Sequence, residues 1–160
     1  MEKKYRFIPI TDEEWYLMSG ARLHRIEALK DFADVKKGDL GGYVEDENNL
    51  SHRGNCWIYD NAKVYGNAIV LDDAKILDEA EVYDDAIVGG SATIEEQAQI
   101  YGNAKVRELA TVGGNVQVSG FAQIVSTAHV TGEMVVTKNA VLKDGYIEGR
   151  DMTISSSIFD

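Results

Sequence analysis

The apolar positions of this chain follow neither the 3.6-residue period of a helix nor one long alternation. From Cys56 onward they recur every six residues. The first column runs from Cys56 through Ala62, Ala68 and Ala74 to Ala140, and 12 of its 15 members are alanine. The second column lies two residues later, from Ile58, Val64 and Val70 to Leu142, and holds only branched aliphatics. Residues i and i+2 share one face of a strand, so each hexad sends one small and one branched side chain inward. The remaining residues are turn formers: YDN at 59–61, YGN at 65–67, LDD at 71–73 and GGS at 89–91. Asn, Asp and Gly tolerate left-handed torsions and supply local hydrogen bonds at corners.

A second period sets the size of the coil. Tyr65, Tyr83 and Tyr101 head YGNA, YDDA and YGNA, each 18 residues after the last. Three hexads therefore close one triangular coil, with the tyrosines stacked at one corner. The fifteen hexads predict an all-β solenoid of about five 18-residue coils, rising roughly 4.8 Å each by strand spacing.

The motif A-x-V-x-G-N, as in AKVYGNA at 62–68 and AKV at 104–106, resembles the hexapeptide-repeat family. That resemblance implies a left-handed parallel β-helix. The stretch from Leu23 to Ala68 carries an R-I-x-A-L segment, a GDLGG turn and an NLS–GNCW segment. It is similar to a group of uncharacterised, often phage- or prophage-borne, members described as acyltransferases or polymer-forming proteins. Enzymes of this family commonly act as trimers, with a histidine base near the subunit boundary and often a loop extruded between coils. Here the fifteen hexads run without an insertion.

The ends depart from the hexad. Residues 1–55 read as a small N-terminal α+β cap on the open end of the helix at 56–145. Its parts are a strand over 4–10, a short helix over about 12–18 signalled by Thr11 and Glu14, a second strand over 23–29, and a turn at 38–44. At 146–160 the register fails at Tyr146 and Glu148, which predicts an irregular C-terminal coil or a self-association segment. The tail still carries Met152, Ile154, Ile158 and Phe159, and they are candidates for an end-on interface. Ile69 and Ile87, 18 apart and outward-facing, are candidates for a lateral one. A homo-oligomer, dimer or trimer, is expected from either.

Composition narrows the function classes. Fifteen glycines against one proline suit stacked coils, because proline would remove a backbone donor that each coil needs. The net charge of −11 argues against direct nucleic-acid binding and against docking on anionic membranes. One cysteine, Cys56, excludes an intramolecular disulfide framework. No apolar run reaches the length of a membrane helix, and MEKKYRFIPITDEEW lacks a signal-peptide core, so a cytoplasmic location is expected.

Candidate chemistry is sparse. His129, between Ala128 and Val130, is the one histidine in the coils and the weak candidate for a general base. Its 18-spaced neighbours Trp57, Lys75, Thr93 and Thr111 offer no carboxylate to orient it. The aspartate pairs at 72–73 and 84–85 fall on different corners, so no metal site is expected, and nothing calls for a cofactor. Charge is more informative. Residues 60–96 carry net −8, while 97–145 carry net +1. Asp72, Asp73, Asp78, Glu79, Asp84, Asp85, Glu95 and Glu96 form a candidate acidic face for a basic host protein. Three readings stay open: a non-catalytic, self-associating scaffold, a hexapeptide-type acyltransferase, and an acidic inhibitor that imitates nucleic acid to a host defence protein.

Overall fold

A computed structural model describes residues 2–9 and 20–157. It is a parallel β-solenoid, nearly all β, in which each hexad supplies a two-residue strand and a turn, except that the hexads around His129–Val136 share one continuous strand. Three strands make one coil. Each strand pairs in parallel with the strand 18 residues on, as Trp57 with Lys75, Lys63 with Glu81, and Ile69 with Ile87. We call these the first, second and third sides. The corners at 59–61, 65–67 and 71–73 follow the first side, the second side and the third side in turn.

Both inward columns are buried from end to end. Alanine at one position and Val, Ile or Leu two residues on fill the axis of the prism. A branched aliphatic taken fully out of water contributes roughly 1.5–3 kcal/mol, so the column is the main source of cohesion. Hydrogen bonds run along the axis. The residues at Trp57, Tyr59 and Asn61 donate their amides to carbonyls of Ala74, Ile76 and Asp78, and the pattern repeats coil after coil. The turns adopt the left-handed torsions expected of them: Asp60, Asp72, Asp78 and Asp84 all have φ between 53 and 60°.

The stack begins earlier than the hexads predict. β1 (Tyr5–Phe7), β2 (His24–Ala28) and β3 (Leu40–Val44) form an antiparallel run. β3 then pairs in parallel with the second side, Val44 beside Val64, and Leu50 bridges to Val70 on the third. These partners are twenty residues apart, so a first, irregular coil precedes Cys56. The GDLGG segment is thus largely strand rather than turn. Its glycines are set by close approach: a Cβ on Gly42 would lie 2.4 Å from the Ala62 carbonyl oxygen and 2.6 Å from Ile58. The helix expected over 12–18 lies outside the described residues.

The C-terminal tail continues the stack rather than leaving it. Tyr146–Ile154 pairs in parallel with His129–Val136, His129 beside Tyr146 and Val136 beside Ile154. The first of these pairs is 17 residues apart and the second 18, and an irregularity between Glu133 and Met134 absorbs the difference. That single missing residue is why the six-residue register fails in the sequence while the coil still closes.

Candidate binding surface

The corners are built by side chains that reach one coil along. Tyr65, Tyr83 and Tyr101 stack with centroids 5.0 Å apart and planes 2–3° from parallel. Their hydroxyls donate to Glu81, Gln99 and Gln117 on the second side. Burial in this ladder pushes the Tyr83 hydroxyl up to about 12. Several corner acids are committed in the same way. Asp72 accepts the Gly90 amide, Asp78 that of Glu96, Asp84 that of Gly102, and Glu96 that of Gly114. The acidic set is therefore spread over all three corners, and half of it spends a carboxylate oxygen on holding the next coil. Asp73, Glu79, Asp85 and Glu95 have no such bond to the coil after them.

The histidines occupy sites with little room for acid–base chemistry. His129 stacks on Tyr146 at 5.0 Å, in the column Lys75, Thr93, Thr111 anticipated from spacing, and no carboxylate faces it there. His52 has the carboxylate that His129 lacks, with Nε2 3.8 Å from Glu47, but its Nδ1 accepts the Lys4 amide at 3.1 Å. That bond fixes the proton on Nε2, which is buried without a hydrogen-bond partner, and the ring lies on Tyr5 at 4.2 Å. Burial holds its pKa below the usual value. His52 thus acts as a latch between the N-terminal strand and the first coil. Among the described residues no cluster of His, Cys, Asp or Glu could hold a metal.

Sequence reasoning missed the chemistry of the N-terminal end. Lys4 is fully buried, and its ammonium donates to the Cys56 carbonyl at 2.7 Å and the Gly54 carbonyl at 3.3 Å. Burial lowers its pKa, with the Cys56 sulfur 3.4 Å away as a partial offset. The Tyr5 hydroxyl donates to the Leu50 carbonyl, and the buried Asn49 amide donates to the Gly66 and Ala68 carbonyls. All of these acceptors belong to coils whose carbonyls point toward the open end. No periodicity could have flagged Lys4, because it stands outside the repeat.

The association candidates separate into two groups. Ile154, placed in the sequence among the end-on candidates, is buried as a rung beneath Val136, and Ile147 is buried with it. Met152 and Tyr146 remain exposed on that last rung. Ile158 and Phe159 lie outside the described residues. The third side is different. Ile69, Ile87, Lys105, Gln123 and Val141 form its outward column, and its five-stranded sheet contains only coil strands among the described residues. Ile69 is 39% exposed, and Phe121, at the corner leading into this side, is 61% exposed. Arg107 reaches across to Gln123 from the opposite corner.

The stacked 18-residue coils, each of three six-residue repeats, define a β-solenoid of the hexapeptide-repeat type. No family model matches the chain. An "Uncharacterized acetyltransferase YdcK" of Escherichia coli (strain K12) is 45% identical to it over 42 residues. The match covers 26% of this chain and spans 13% of the relative's own length. Coil geometry and this similarity together fit the hexapeptide-repeat family. No helix among the described residues is long and apolar enough to cross a membrane.

Proposed function

We propose that this protein is a self-associating β-solenoid that works as a binding scaffold through a flat side rather than a pocket. The observation that carries this reading is the third side, where Ile69 and Ile87 stand in line, with Leu71 at the corner beside them and Phe121 exposed at the other. A contiguous apolar row left facing water marks an association surface. Among the described residues the clefts are open to solvent by comparison. The cleft at the first corner, about 370 Å³, is lined by Asp78, Glu79, Glu96 and Gln97, a wall that repels the anionic phosphates of an acyl carrier. Sedimentation velocity from low to high micromolar concentration tests the reading. A mass that rises with concentration supports it, and a single-chain mass throughout overturns it.

The name of the similar protein favours one competitor, acyl transfer. His129 would then be the base, as the coil histidine with a face toward solvent. Calorimetric titration with acetyl-CoA distinguishes the two. Saturable binding, with turnover lost in His129→Ala, would establish the enzyme; the scaffold reading predicts no heat of binding.

A further inference from the structure

The third side differs from the other two in how charge is arranged along the axis. Its N-terminal half carries Ile69 and Ile87, flanked by Asp72 at one corner and by Asp84 and Asp85 at the other. Its C-terminal half carries Lys105 and Val141, flanked by Arg107 and Lys143 at one corner and Lys138 at the other. All four cations of the 97–145 segment thus converge on one face. Of the two acids that accompany them, Glu108 and Asp144, the second is occupied, accepting hydrogen bonds from Ser126 at 2.6 Å and Thr127 at 3.0 Å.

We propose that this face is the interface of a homodimer in which two copies pack side against side and run antiparallel. The proposal rests on the self-association reading above and names its surface and symmetry. A two-fold axis lying in the interface and crossing the coils at Lys105 superposes each N-terminal half on the other copy's C-terminal half. Ile69 then meets Val141, and Ile87 meets Gln123 beside Phe121. Asp72 comes opposite Lys143, Asp84 and Asp85 come opposite the 119–121 corner one rung from Lys138, and Lys105 meets its own copy on the axis. The parallel alternative would set Lys138 opposite Lys143 and bring Asp84 and Asp85 within one rung of Asp72, like charges that oppose association, while Lys105 meets its own copy in either arrangement. Isologous contact of this kind closes after two copies and makes no fibre. Five rungs at about 4.8 Å and a six-residue width give roughly 500 Å² per copy, the size of a weak, reversible pair.

Charge reversal tests the symmetry directly. Asp72→Lys with Asp85→Lys makes both halves of the face basic, and Lys138→Glu with Lys143→Glu makes both acidic. Lys138 itself shows that a lysine is accommodated at the left-handed corner position that Asp72 occupies, with φ of 57°. Far-ultraviolet circular dichroism first establishes that each variant is folded. Sedimentation should then find each variant's dissociation constant raised at least about tenfold, and an equimolar mixture restored to a heterodimer. Variants that keep wild-type mass, or a mixture that stays monomeric, would overturn the proposal. A wild type that is monomeric at every concentration would sink the scaffold reading itself, which separates the two failures.

Discussion

The two ends of the solenoid solve opposite problems. Within the stack, alternate residues of each coil donate amides to carbonyls of the coil that follows. Inside the strands the parallel ladder runs both ways, but the bonds at the corners run one way and leave carbonyl acceptors at the N-terminal end and amide donors at the C-terminal end. At the N-terminal end the donors are imported: Lys4, Tyr5 and Asn49 bring side-chain N–H and O–H groups to carbonyls of the first coils. At the C-terminal end the chain supplies acceptors by continuing, as when His129 donates to the Gly145 carbonyl and Val141 to Ser157 Oγ. One end relies on a few buried polar side chains, the other on one more rung of the same architecture. Loss at the first should appear as local polar strain, and loss at the second as lost apolar burial.

The largest effect should follow from removing the last rung. A chain ending after Leu142 loses the burial of Ile147 and Ile154 and uncovers Val130 and Val136. It should be less stable by about 4 kcal/mol in urea titration, on the scale of two buried isoleucines. Stability within 1 kcal/mol of wild type would mean that the tail is not part of the core.

Asn49→Ala probes the other end. It leaves the Gly66 and Ala68 carbonyls and the Asp46 amide without their partner, while the Glu45 amide keeps the Val64 carbonyl. The expected loss is about 3 kcal/mol, and it should appear in hydrogen exchange as early opening of residues 40–58 while the middle coils stay protected. Lys4→Met keeps the stem and removes the donor from Gly54 and Cys56, so about 2 kcal/mol is expected with the same local signature. Uniform opening of the whole stack in either variant would show that the ends are not independent.

The smallest effect is one of pH. Burial holds His52 below its usual 6.5, so the unfolded chain binds more protons than the folded one in the window just under that value. Stability should therefore fall as pH drops from about 6.5 toward 5, because protonated Nδ1 can no longer accept the Lys4 amide. His52→Asn should flatten this slope in urea titrations. An unchanged slope would remove the latch from the account.

The repeat was legible to the residue, because Ala and Val/Ile columns at 56/58 and every six residues after leave one strand register open. The tyrosine spacing gave the coil size for the same reason. What lay outside the repeat was hidden by its exceptions. The first coil is two residues longer than the rest and puts Gly42 where Ala62 would predict alanine, so its strands read as a turn. The last coil is one residue short, so its register reads as failed. Surface function was half legible: Ile69 and Ile87 follow from the period alone. The convergence of Lys105, Arg107, Lys138 and Lys143 on their face appears only when the corners are assigned to sides. The acidic face looked like one patch in the sequence because Asp72, Asp78, Asp84 and Glu96 are close along the chain, yet they sit on separate corners and brace the coils.

The central claim is that this solenoid acts through its third side, not through an end or a pocket. Ile69→Glu combined with Ile87→Glu places two carboxylates on that side and touches neither end. Both positions face outward, so the core columns are unaltered. Sedimentation equilibrium of this variant should give a single-chain mass at concentrations where the wild type is paired. A variant that pairs as the wild type does would contradict the claim.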